Sequence, residues 1–120
     1  MMTPFAYGLA IVLDLFIIVI GVRFLLQPEP AAAGYGVPAP AGAYLSVKGV
    51  RDLTYGLVGL ALLAFGGATA SAWFMLVVTL APLGDTVIVL RNGGTKAVAF
   101  GIHFATAVAV LISAALLFAL

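Results

Sequence analysis

The sequence has no cysteine, a single histidine, a single tryptophan and very little charge. Without cysteine there is no disulfide framework, no thiolate metal site and no cysteine nucleophile. One histidine cannot build a zinc site of the usual kind, and bis-histidine haem ligation is impossible within one chain, so no metal and no cofactor is expected. Lys and Arg together number 5 and Asp and Glu 4, giving a net charge of +1. That balance points to no acidic partner, and no basic stripe suggests nucleic acid. The glycine-bearing stretch GYGVPAPAG neither follows a strand pattern nor precedes a P-loop lysine, so it is not a phosphate cradle. No Ser-His-Asp order stands out.

What the chain does have is apolar surface. Hydrophobic residues make up 65% of its 120 positions and charged residues 8%, with a mean hydropathy of +1.30, whereas roughly a quarter of an ordinary globular domain is charged. A water-soluble fold would have too few polar side chains to cover itself. At about 20 residues per span the length allows four transmembrane helices and little else, so the expectation is a single membrane domain over 1–120: an all-α integral membrane protein, a four-helix bundle with short loops.

The first apolar run extends from about 4 to 26, with Thr3 as cap and Pro4 in its first turn. It lacks a basic start and reaches spanning length, which reads as a retained helix rather than a signal peptide. From 27 to 42 four prolines and three glycines in QPEPAAAGYGVPAPAG forbid a continuous helix, making this the one substantial loop. Further helices are predicted over about 43–65, 72–90 and 97–120, joined by tight turns at GGATAS (66–71) and RNGGTK (91–96).

Arg23, Lys48 and Arg51 flank the first loop, and Arg91 and Lys96 flank the third, so all five basic residues fall on one side. Basic loops stay in the cytoplasm, which predicts non-cytoplasmic termini and a multi-pass protein of the cell inner (cytoplasmic) membrane. Counting inward at about 1.5 Å per residue places Asp14, Asp52, Asp85 and His103 on one level, roughly 9–14 Å below the cytoplasmic edge, with Arg51 beside Asp52. Charged groups at such depth cost about 2.5–3.5 kcal/mol each on the lenient scale, so they are expected to face one another or a wet cavity. Lys48, Asp52 and Tyr55 share a helix face, and His103 shares one with Thr106. Pro82 and Gly84 are expected to loosen the third helix beside Asp85. The outcome is a polar pocket open to the cytoplasm and capped by the 27–42 loop.

Plainer readings exist for each group. Asp52 with Lys48 or Arg51, and Asp85 with Arg91, also read as structural ion pairs. His103 taken alone reads as a hydrogen-bonded interior residue. Asp14 has no basic residue within a turn of its own helix and must be paired across helices, protonated or solvated. Tyr35, Tyr44 and Trp73 lie near helix ends and read most simply as interfacial belt aromatics, and Gly49, Gly56 and Gly59 as helix-packing positions.

Four stretches, GVRFLLQPEPAAAGYGVP, YLSVKGVRDLTYGL, APLGDTVIVLRNGG and KAVAFGIHFATA, together resemble a family of small bacterial and fungal membrane proteins described as domain of unknown function 4267. The resemblance covers nearly the whole chain. It implies four helices and matches Lys48, Arg51, Asp52, Asp85 and His103, and it brings no activity with it.

The residues themselves point to an intramembrane enzyme using an acid, histidine and arginine pocket for general acid–base chemistry on a small lipophilic molecule: isomerisation, cyclisation or epoxide opening. Asp52, Asp85 and His103 are the acid–base candidates, Asp14 an additional proton donor or orienter, and Arg51 or Lys48 the anion stabiliser. Tyr44, Tyr55 and Thr106 are the candidate substrate contacts. The competing expectations are a proton-coupled small-molecule exporter, with Asp14 as the acid of the first helix, and a non-catalytic accessory membrane subunit. Expected partners are membrane lipid, a small lipophilic molecule and, through the glycine-rich second helix, a second copy in a homodimer.

Overall fold

The first apolar run, Met2–Leu26, is a single helix, α1, of 25 residues. The computed structural model describes residues 2–37 and 42–120, and its regular secondary structure there is all helical. After α1 come α2 (Pro28–Tyr35), α3 (Gly42–Ala61), a π-helical turn at Leu62–Gly66, α4 (Gly67–Val78), α5 (Leu80–Arg91), the short α6 (Lys96–Val98), a second π-helical stretch at Ala99–Phe104, and α7 (Ala105–Phe118). Three helical runs, Met2–Leu26, Gly42–Arg91 and Lys96–Phe118, are long and apolar enough to cross a membrane.

The middle run is 50 residues long, about 75 Å if straight at 1.5 Å per residue. The longest dimension of the whole chain is 44 Å. The run therefore doubles back, and it does so at Gly66–Gly67, where Gly67 has φ 84° and ψ 174°. That backbone region is essentially closed to residues with a Cβ. The expected turn over 66–71 is thus much tighter than the sequence reading, and the third leg begins at Gly67 rather than at 72. A Cβ on Gly67 would meet no atom within 4 Å, so Gly67→Ala should lower stability by about 1–3 kcal/mol through backbone strain alone. Thermal unfolding in detergent checks this, and an unchanged midpoint would mean the reversal does not depend on that conformation.

The segment 27–37 also departs from expectation, because a helix forms inside the predicted loop. Pro28 stands at its start, where a missing N–H removes no helical hydrogen bond. Gly36 closes it in the left-handed region at φ 97°, its N–H donating to the Ala32 carbonyl. The remainder of that predicted loop, 38–41, lies outside the described residues.

Helix packing follows the small residues. On α1 the buried positions are Ala6, Ala10, Asp14, Gly21 and Phe24, one stripe at helical spacing. On α3 they are Gly49, Asp52, Gly56 and Gly59. With no hydrophobic drive between helices in lipid, such small residues let backbones approach and gain dispersion contact. A Cβ on Gly21 would lie 2.7 Å from the Gly49 carbonyl oxygen, and one on Gly56 would lie 2.6 Å from the Asp14 carbonyl oxygen. Phe5, Val12 and Val19 on the opposite side of α1 are exposed and form an apolar outer stripe. A second apolar cluster joins Ala6 and Ala10 of α1 to Ala72 and Met75 of α4 and Val110, Ala114 and Leu117 of α7. Thus α3 lies against α1, α4 and α5 lie against the last leg, and α2 covers one end of the bundle.

Candidate functional site

Between these legs is a cavity of about 310 Å³ lined by residues of every leg and of α2. Its wall includes Asp14, Asp52, Asp85 and His103, the four ionisable groups that the sequence placed one per helix. Lys48, Tyr55 and Thr106 line it as well. Arg51 and Tyr44 do not: both are exposed and neither is part of the wall. Arg51 is one residue, about 100° of helix rotation, from Asp52, and the α3 face carrying Asp52 is the buried one, so Arg51 turns outward. The basic side chains in the wall are accordingly Lys48 and Arg23. Tyr44 lies on the overhanging first turn of α3, 73% exposed.

Tyr35 is the residue whose position the sequence did not reveal. It closes α2, and its phenol O–H donates to Asp85 Oδ1 at 2.7 Å. Its carbonyl is 2.8 Å from His103 Nε2, and its ring lies 4.7 Å from the imidazole, centroid to centroid. A carbonyl only accepts, so Nε2 carries the proton and Nδ1 of the neutral ring keeps a free lone pair. That Nδ1 sits 3.9 Å from Asp85 Oδ2, too long for a hydrogen bond and close enough for charge interaction. Burial first, then the hydrogen bond and negative charge of Asp85 and the charge of Asp52, push the Tyr35 phenol above its ordinary range. Tyr35 therefore stays a hydrogen-bond donor. The clue available in the sequence was Pro28 with Gly36, the start and stop of a short helix ending on Tyr35.

Across the cavity, Lys48 Nζ donates to Asp52 Oδ2 at 2.9 Å. The ammonium also stands 5.1 Å from the centroid of Phe24 and 5.0 Å from that of Tyr35, within cation–π range of both rings. Tyr35 thus connects the α5 acid and the α7 histidine on one side with the α3 ion pair on the other. His103 itself lies in the π-helical stretch Ala99–Phe104, a local widening often found where a helix carries a functional side chain. On the third leg the interruption falls at Thr79, not at Gly84. Pro82 has no N–H, so the Val78 carbonyl lacks its helical donor, and both residues line the cavity.

Asp14 stands apart. Its carboxyl abuts Gly59, where any Cβ would overlap Oδ1, seven residues beyond Asp52 and hence roughly 10 Å further along α3. The expected single layer therefore splits into a polar group beneath α2 and a deeper acid. The count from helix ends misplaced Asp52 because α3 overhangs α1: Gly49, not Ala43, lies beside Gly21 and Leu25. Among the described residues no group of three or more Asp, Glu and His side chains is arranged to hold a metal ion.

The family model described as Domain of unknown function (DUF4267) matches residues 15–117 of the chain. That span begins one residue after Asp14 and takes in all the other cavity groups named above. No curated protein and no solved structure matches the chain.

Proposed function

We propose that this chain, which belongs to the DUF4267 family, is a multi-pass protein of the cytoplasmic membrane and an enzyme of acid–base type, acting on a small lipophilic molecule. The observation that carries this reading is the cavity wall, where Asp85, His103, Tyr35 and the Lys48–Asp52 pair meet at one end of a mostly apolar chamber. A chamber of about 310 Å³ holds about ten waters' worth of volume, at the small end of ligand pockets. All five basic residues sit at the end covered by α2, where Gly36 packs on Val98 beside the 91–96 turn, which supports that end facing the cytoplasm.

The chemistry follows from what each group can do. His103 Nδ1 is the general base: its ring is held by the Nε2–H bond to the Tyr35 carbonyl, and its lone pair faces Asp85 and the chamber. Asp85 stabilises the imidazolium once the proton has moved. Lys48, held by Asp52 and two aromatic faces, stabilises negative charge developing on a substrate oxygen. An isomerisation or cyclisation takes a proton from one substrate atom and returns one to another, so it needs no co-reactant; epoxide opening consumes one water. The apolar wall admits a hydrocarbon frame and excludes bulk water, which strengthens every charge interaction inside.

Labelled water tests this directly. Nanodiscs with and without the protein are incubated with a lipophilic extract of the native host in D₂O containing H₂¹⁸O. Expected, only when the protein is present, is a compound that gains carbon-bound deuterium, or ¹⁸O instead if an epoxide is opened by water. If no compound takes up label while the protein drives lipophilic cations out of vesicles along a proton gradient, the exporter reading replaces this one. Tyr35→Phe, which removes one hydroxyl and leaves the ring, should slow label uptake about tenfold, corresponding to roughly 1.4 kcal/mol, the scale of a single hydrogen bond to a charged group.

A further inference from the structure

Asp14 takes no part in the acid–base group, yet its side chain lines the same cavity while only 3% exposed. Its Oδ2 has no hydrogen-bond partner among the described residues. Leaving such an oxygen unpaired in an apolar surround costs about 1–3 kcal/mol or more. The packing around it is built to keep it there: Gly59 gives up its side chain to the carboxyl, and Gly56 lets the Asp14 carbonyl approach α3 closely. Leu13, Met75 and Val110 surround the deep part of the chamber and offer it no polar group.

We propose that Asp14 is a second polar subsite, which receives a hydroxyl at the far end of the substrate. This rests on the cavity being a substrate site. A hydroxyl is the group that suits the position, because it donates to a carboxylate and accepts from a carboxylic acid, pairing with Asp14 in either protonation state. An ammonium would pair with only one of the two and would bring its own desolvation cost. The roughly 10 Å of α3 between Asp52 and Gly59 then sets the spacing of the substrate's polar ends. The substrate class is a slender hydrocarbon with one reacting polar end under α2 and a hydroxyl at the other.

Carboxyl ¹³C NMR of the protein in nanodiscs, with 1,10-decanediol and n-decane as probes, tests the subsite without relying on turnover. The chain has three aspartates, Asp14, Asp52 and Asp85, so the signal lost in Asp14→Asn is that of Asp14. If that variant fails to fold, Asp52→Asn and Asp85→Asn identify the remaining signal by elimination. The diol, long enough to reach from α2 to Asp14, should move the Asp14 resonance saturably, and n-decane, which has no hydroxyl, should not. No movement with the diol overturns the subsite, as does equal movement with both probes, which would mean simple filling of the chamber. Movement with the diol but no uptake of label from water would leave the subsite standing and remove the enzyme reading.

Discussion

His103→Gln and Asp85→Asn should each reduce protein-dependent uptake of label from water by about 10²-fold to 10⁴-fold, the range that a positioned acid or base contributes. Glutamine in place of His103 can still donate an amide N–H to the Tyr35 carbonyl, so α2 keeps its anchor while the basic nitrogen is gone. Asparagine in place of Asp85 can still accept from the Tyr35 hydroxyl, yet it carries no charge to offset an imidazolium 3.9 Å away. Both variants therefore separate chemistry from architecture, and unchanged thermal midpoints beside lost turnover are the expected pattern. Arg51→Gln is the control, because Arg51 is exposed and outside the wall; its label uptake should stay within about twofold of wild type. Wild-type uptake in His103→Gln would remove the histidine from the mechanism altogether.

The largest structural effect is expected where α1 and α3 meet. A Cβ on Gly56 would lie 2.6 Å from the Asp14 carbonyl oxygen and would also collide with Ile18. Backbone cannot step aside without moving a whole helix. Gly56→Ala should then cost about 3 kcal/mol, the upper range for overpacking, and larger residues should prevent assembly. Gly59→Ala meets a side chain instead, the Asp14 carboxyl. Its cost should be comparable alone and should fall by at least half in the double variant Gly59→Ala with Asp14→Ala, since the colliding atoms are then absent. Thermal unfolding of the four proteins of that cycle gives the coupling. Additive losses at Gly59 and Asp14 would show that the two residues do not meet as described, while Gly56→Ala should show no such rescue.

Much of the architecture was legible because lipid-scale helices leave a strong mark on composition. The run Met2–Leu26 and the leg ending at Phe118 were placed within a few residues, as was the turn after Arg91. Where the reading went astray, local composition and tertiary geometry disagreed. The prolines of 27–42 suggested loop, yet Pro28 and Pro30 fall in a first turn, where their missing N–H groups do no harm. GGATAS resembled a long turn, although one glycine with positive φ is enough to reverse the chain. Asp14, Asp52, Asp85, His103 and Lys48 were picked from the sequence and all reach the cavity, because a titratable side chain within an apolar helix has few tolerable places to go. Tyr35 and Tyr44 had no such constraint: each lies near a helix end, where inward and outward orientations cost about the same, whereas Arg51, in the middle of α3, was turned outward by the register that buries Asp52.

The sequence by itself determined that the chain is helical, how many apolar legs it has, and which few polar groups must turn inward. Those are one-dimensional consequences of hydropathy: apolar runs need satisfied backbones, and charges shun hydrocarbon. Only the tertiary structure decided that Tyr35 ties Asp85 and His103 together, that Lys48 and not Arg51 joins the cavity wall, and that Asp14 sits nearly two helical turns deeper than Asp52. Those depend on the register between α1 and α3 and on how α2 folds over the bundle. Register is set by glycine contacts between residues far apart in the sequence, such as Gly21 with Gly49 and Gly56 with Asp14, and counting inward from helix ends carries no information about it.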